Sequence, residues 1–438
     1  MSDTLIFALI YLGALVLFGA TGFFVAVVVF VITVSSVLFF FGPPMIGPMS
    51  DLAWATMSNY VLIAMPLFIL LGEIMLRGGI SERMYQALSV WMVRVPGRLL
   101  HSNIAACTLF AAATGSSVAT AATIGTVALP ALESRGYDQR LALGSIAAGG
   151  TLGILIPPSL NMIIYGVMTD TSIGRLFIAG VVPGLLLSGT FMLIIGANAL
   201  LRPQVAPFNA ADVWPIRQRL STLPAIIPPL LVILGVMGSI YTGLATPTEA
   251  AAVGVMVALV LAGGYRRLSA GMLNDAFRST MRTTGMVMLI IVAAFLMNFV
   301  VGLLGVPQAI AEWVRSLGLT LTEVLLVLLL IYMLLGCFLE GLSMMITTIP
   351  IVAPLVIGLG ADPVWFGVFI VLVTELALIT PPVGINLYVV QGIRTDGGSI
   401  ADVMMGALPF ALTITLFTLL MIYFPEVALW LPSQMMGR

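Results

Sequence analysis

Residues 144–166, GSIAAGGTLGILIPPSLNMIIYG, are apolar enough to lie in a bilayer, yet they cannot form an unbroken helix. Gly149 and Gly150 weaken a helix. Pro157 and Pro158 lack the backbone N–H a helix needs, and their rings clash with the preceding turn. At membrane depth, backbone groups without a helical partner are tolerated only where protein or water satisfies them. The break must therefore line a cavity. Its freed carbonyls, with the hydroxyls of Thr151 and Ser159, are hard oxygen donors of the kind a small cation takes.

The same construction occurs again in residues 367–392, GVFIVLVTELALITPPVGINLYVVQG, around Pro381 and Pro382. Pro130 precedes Pro157 by the interval that separates Pro354 from Pro381, and Gly115, Pro157 and Gly180 find partners in Gly341, Pro381 and Gly406. Two broken helices at corresponding places in two halves point to the binding site of a transporter.

Composition excludes most other classes. Hydrophobic residues make up 61% of the 438-residue chain and charged residues 8%, against about 25% charged in a soluble domain. Continuous apolar runs rather than short alternating strands point to a polytopic α-helical membrane protein, not a β-barrel. A net charge of −1 excludes a basic nucleic-acid binder. Every basic residue is Arg, so there is no Walker A lysine and no Schiff-base lysine. The single His101 and the absence of HExxH argue against an enzyme, and a buried structural role is expected for Cys107 and Cys337.

The expected organisation is a first repeat over residues 1–205, a linker at 206–222 and a second repeat over 223–438. Residues 4–41 read as two short spans turning at 19–22, without the basic start of a signal peptide. A span expected to open at Trp54 runs to residue 76 and is matched by 283–304. Amphipathic links follow at 80–100 and 306–319. Each half then has a helical hairpin, 102–132 and 321–359, expected to be re-entrant with its tip inside the membrane, and a discontinuous helix, 138–168 and 363–392. Last spans occupy 176–201 and 403–424. With the N-terminus outside, all but Arg175, Arg315 and Arg438 of the 17 basic residues fall inside, as the positive-inside rule requires. An odd number of crossings per half makes the repeats inverted and puts both termini outside.

The stretches GLATPTEAAAVG (residues 243–254), IPPS (156–159) and TPPVGINL (380–387) resemble the large membrane subunit of tripartite ATP-independent periplasmic (TRAP) transporters, the DctM type. Their order and spacing carry the resemblance across essentially the whole chain. It implies a multi-pass protein of the bacterial inner membrane with sodium-driven uptake of an organic anion. It also implies a periplasmic solute-binding protein and a small four-span membrane subunit, expected here as a separate chain. No cofactor is expected beyond sodium as coupling ion, and an elevator-type motion of hairpins and broken helices against a frame is the expected mechanism. A carrier without a binding protein, or an ABC-type permease with its own ATPase, is the alternative.

Within that reading, one cation shell is expected from Thr114, Gly115, Ser116 and Ser117 at the first tip, facing Gly149, Gly150 and Thr151. A second is expected from Glu340, Gly341 and Ser343, facing Thr374, Thr380 and Pro381. Thr151, Pro158, Ser159, Asn161, Pro382 and Asn386 are the expected substrate contacts, because the restarted half-helices present N-terminal amides that suit a carboxylate. Asn161 and Asn386 are open to a second reading as caps. Glu375 is an acid inside a span, functional by default. Glu73 and Arg77 are expected to form an ion pair at the membrane edge.

Overall fold

The computed structural model describes residues 25–209 and 213–436, which are helical throughout with connecting turns. The proposed turn at 19–22 lies outside them. The helices are α1 (Val25–Phe40), α2 (Ile46–Met57), α3 (Ala64–Arg77), α4 (Ile80–Met92), α5 (Leu99–Thr114), α6 (Ser117–Glu133), α7 (Gln139–Thr151), α8 (Leu160–Thr169), α9 (Ile173–Leu201) and α10 (Ile216–Leu220). They continue as α11 (Ile227–Tyr241), α12 (Pro247–Gly264), α13 (Ala270–Leu303), α14 (Val306–Ser316), α15 (Leu321–Leu335), α16 (Gly341–Gly358), α17 (Pro363–Ile379), α18 (Ile385–Ile393), α19 (Ile400–Tyr423) and α20 (Glu426–Met436). Among the described residues six helices are long and apolar enough to cross a bilayer, counting α3 together with the turn at Tyr60–Ile63, or up to eight if each bent pair is one span.

Local chemistry sets these boundaries. Gly79 and Gly305, both left-handed, turn the chain into the short helices α4 and α14. Gly115, at φ 62°, ends α5 and Ser116 caps α6, so the first hairpin turns over two residues. Asp138 caps α7 by accepting the Leu141 amide at 2.8 Å. Thr246 and Glu249 form a reciprocal capping box at α12.

The structure corrects the sequence reading at three places. Trp54 does not open a span; it is an exposed residue of α2, and the chain breaks at Ser58 and Asn59 before α3. Asn59 marks the restart, its side-chain oxygen accepting the Val61 amide at 2.9 Å. The segment expected at 283–304 begins 13 residues earlier, since Ser269 caps α13 and its polar first half continues the helix. Finally, α20 follows the last expected span and packs against α9.

The two halves interlock. α7 lies along α19 with backbones nearly touching: a Cβ on Gly144 would stand 1.9 Å from the Gly406 carbonyl oxygen, and one on Gly406 1.9 Å from that of Arg140. Small residues permit such close approach. At the polar end of this contact Arg140 donates to Asp402 at 3.0 Å. Arg394 donates to Asp396 at 2.6 Å and lies 3.6 Å from Asp402. A buried chain of hydrogen bonds ties three elements of the first half: Tyr85 of α4 donates to Asn103 of α5 at 2.9 Å, and Asn103 donates to Ser145 of α7 at 2.9 Å.

Candidate functional site

Both proline pairs interrupt their helices where the sequence requires it. After α7 the chain makes one tight turn at Leu152–Ile154 and restarts only at Leu160, capped by Ser159, whose hydroxyl donates back to Ile154 and accepts from the Met162 amide at 3.3 Å. Residues 151–160 are buried throughout. The second break is more open: Thr380, Pro381 and Val383 are partly buried and Pro382 is exposed. Its carbonyls are engaged, that of Pro381 by the Cys337 thiol at 3.3 Å and that of Pro382 by the Tyr388 hydroxyl at 3.1 Å. Cys337 is thus only half-buried, unlike Cys107.

The breaks meet the hairpins crosswise. α18, from the second half, packs on α6 and α7 of the first, and α8, from the first half, packs on α16 and α17 of the second. Asn386 makes the first crossing specific. Its amide donates to the Ser117 hydroxyl at 2.7 Å and to the Ala147 carbonyl at 3.1 Å, joining residues 269 apart in the chain. Its side-chain oxygen is buried without a partner, which is unusual for a group that costs about 1–3 kcal/mol to leave unsatisfied. Asn161, the corresponding residue of the first half, is also buried.

The first expected shell is rearranged. Gly115 lies on the Pro158 carbonyl, 2.5 Å from where its Cβ would be, and its own oxygen accepts from Leu160 at 3.5 Å. The Ser116–Ser117 backbone lies over Gly153, not over the expected glycines. Gly149 instead accommodates Cys107, and Gly150 accommodates Ala121. Thr114 donates to Phe110 and shares a 3.2 Å contact with Thr120. Ser116 accepts the Ala119 amide at 3.4 Å. Thr151 donates to the Ala148 carbonyl at 2.8 Å. Gly153 went unnoticed in the sequence, although it continues the series Gly144, Gly149, Gly150.

The residues of the second expected shell make local contacts. Gly341 packs on the Thr374 methyl, 2.7 Å from where its Cβ would stand. Glu340 caps α16 by accepting the Ser343 amide at 3.0 Å and its hydroxyl at 3.1 Å. Thr374 and Thr380 turn their hydroxyls back to Ile370 and Leu376. The Glu73–Arg77 pair forms at 2.9 Å, and Ser279 of α13 adds a donor to Glu73 at 2.6 Å.

Two helical halves, each with a broken helix against the other's hairpin and buried polar groups at the crossings, define a class: helical membrane transporters. Solved structures agree on the fold. The YdaH transporter of Alcanivorax borkumensis superposes with a TM-score of 0.58 at 16% identity, covering 85% of this chain and 87% of its own. The chain belongs to the family described as the tripartite ATP-independent periplasmic transporter, DctM component, which it matches over residues 10–427. It is 36% identical to the C4-dicarboxylate TRAP transporter large permease protein DctM of Pseudomonas aeruginosa, over 90% of this chain and 91% of that protein. It is 34% identical to the protein of the same description from Rhodobacter capsulatus, over 97% and 99%.

Proposed function

We propose that this large permease imports an organic acid, driven by sodium, receiving the solute from a periplasmic binding protein and working with a small membrane subunit. The supporting observation is the crosswise bond from Asn386 to Ser117 and Ala147, which joins one broken helix to the opposite hairpin tip. A centre built from both halves can change only when the halves move relative to one another. The N-terminus of α18 has no side-chain cap, and its amides suit a carboxylate. Thr151, Pro158, Ser159, Asn161, Pro382 and Asn386 are its proposed contacts. Oxygens of residues 114–117 and 150, and of 340, 341, 343, 374 and 380, are the proposed sodium ligands. The C4-dicarboxylate named for the relatives makes succinate the first solute to test.

The two halves are proposed to be inverted repeats. The moving core is residues 102–174 with 321–400, sliding in the manner of an elevator within a frame that includes α3 and α13. The test is uptake of labelled succinate by proteoliposomes under an imposed sodium gradient. Uptake is expected only with the small subunit and the binding protein both present. Uptake by this chain alone, or indifference to sodium, overturns the reading. Paired cysteines near Ser159 and Leu70, in a background lacking Cys107 and Cys337, test the motion. Some pairs should cross-link only in the inward state and others only in the outward state, and equal cross-linking in both refutes sliding.

A further inference from the structure

α3, α12 and α13 share one end of the bundle: α3 stops at Arg77, α12 stops at Gly264, and α13 starts at Ala270. All three belong to helices long and apolar enough to cross a bilayer, so this end stands at a membrane surface. α13 has 34 residues, about 51 Å at 1.5 Å per residue, against roughly 30 Å of hydrocarbon. Its excess length falls at the polar start, which carries Arg278 and Arg282 through the layer where lipid headgroups lie.

Residues 73–83 and 260–282 hold six arginines and three acids. Arg77 engages two of the acids, donating to Glu73 at 2.9 Å and lying 3.9 Å from Asp275. The third, Glu82, accepts from the Gln86 amide at 3.5 Å. The other five arginines, Arg83, Arg266, Arg267, Arg278 and Arg282, are exposed. Two contacts bring a pair of them to one junction. Arg83 of α4 lies over the Tyr265 ring, 4.3 Å from its centre. The Arg267 side chain reaches back to Gly79, with Nε 3.8 Å from where a Cβ would stand. Gly79 is one helical turn before Arg83, and Tyr265 is two residues before Arg267, so both guanidinium groups flank the meeting of α4 with the α12–α13 turn. Like charges so placed repel. Arg266 beside them is left-handed at φ 55°, a conformation that glycine takes freely and other residues only with strain. A bound anion would offset the repulsion.

Arginine holds phosphate through paired N–H donors. Leu76, Leu268, Phe277 and Met281 are also exposed, and each adjoins one of these arginines in sequence. A free phosphate uses only the charges. A phospholipid uses both features, its headgroup on the arginines and its acyl chains on the apolar side chains. We propose that this end of the bundle is a binding site for an anionic phospholipid, with the phosphate held by Arg83 and Arg267 and the field strengthened by Arg266, Arg278 and Arg282. The site does not depend on what the protein transports.

The test is native mass spectrometry of the full chain released from nanodiscs of equal phosphatidylglycerol and phosphatidylcholine. The wild type should retain phosphatidylglycerol at least fivefold more than Arg83→Gln/Arg267→Gln. Arg202→Gln/Arg217→Gln, which removes the same charge from the linker, should retain it like the wild type. Equal retention in all three, or equal loss in both variants, overturns the site. A two-chain mass that disappears in Arg83→Gln/Arg267→Gln would give the surface to a second copy and overturn the lipid assignment. Melting in nanodiscs is the second measurement. Phosphatidylglycerol in place of phosphatidylcholine should raise the wild-type midpoint by several degrees and leave Arg83→Gln/Arg267→Gln unmoved. If inorganic phosphate in pure phosphatidylcholine gives the same rise, the ligand is a soluble anion and the lipid assignment fails. If the variant melts lower in pure phosphatidylcholine yet responds to phosphatidylglycerol as the wild type does, the two arginines only hold the fold and the proposal is refuted.

Discussion

Replacing Gly144 with alanine puts a methyl group where there is no room. The added carbon would stand 1.9 Å from the Gly406 carbonyl oxygen, 2.2 Å from its carbon and 2.9 Å from the Ala407 nitrogen. Attractive contact begins at roughly 3.5 Å. All three atoms are backbone, so no side-chain rotation relieves the clash, and α7 and α19 must part by about 1.5 Å. This pair is the most extensive helix contact among the described residues, so separation opens gaps along its whole length. Overpacking costs about 1–3 kcal/mol, sometimes more, and a contact this short belongs at or beyond the upper end. Alanine returns up to about 1 kcal/mol of helix propensity, which does not offset it. Gly406→Ala meets Arg140 in the same way, and the double variant should lose less than the two singles together, because parting the helices once relieves both. Gly302→Ala is the control: it lies in α13 with nothing within 4 Å of its added carbon and should be neutral or slightly stabilising. Melting followed by size-exclusion fluorescence in lipid nanodiscs reads all four. If Gly144→Ala melts with Gly302→Ala, the backbone approach is wrong and so is the interlock built on it.

Asn386→Ala removes the bridge to Ser117 and Ala147; a loss of about 1–3 kcal/mol is expected in the same melts, and no loss would make the bridge incidental. Ser116→Ala with Ser117→Ala should raise the sodium concentration giving half-maximal uptake; an unchanged value would leave these hydroxyls a packing role. Arg394, then Gln139 and the Gly398 amide, hold the exposed Asp396 carboxyl well below the ordinary carboxylate range. A depressed folded value means its stabilisation is complete above the usual pKa of about 4 and fades as pH falls through the folded value. The stability gap between wild type and Asp396→Asn should therefore be constant from neutral pH to about pH 5 and close below pH 4; a gap that widens on acidification refutes the pairing.

What could be read from the sequence follows from where each piece of information resides. Pro157, Pro158, Pro381 and Pro382 interrupt helices through their own covalent structure, so the breaks were visible without a neighbour. The Glu73–Arg77 pair was legible for the same reason, being one helical turn apart. The restart before α3 was encoded as locally, in the Asn59 cap, but the apolar run around Trp54 obscured it. The polar start of α13 was hidden because charge resembles a loop while costing a helix nothing. Partnerships across the fold were out of reach. Nothing near Asn386 names Ser117, and nothing near Gly150 says that it faces Ala121 while Gly153 takes the tip. The hydroxyls at the proposed shells were found as residue types, yet their present bonds to neighbouring carbonyls depend on rotamers that no spacing specifies.

The seam between α7 and α19 also sets a clock. Arg140 and Asp402 are 262 residues apart, and at about 5–20 residues per second a ribosome takes roughly 13–50 s to travel between them. Throughout that interval the Gly144 face of α7 has been made and its mate has not. The first half must wait in the membrane with an uncovered stripe, held by lipid or by the insertion machinery, until the last long helix arrives to close it.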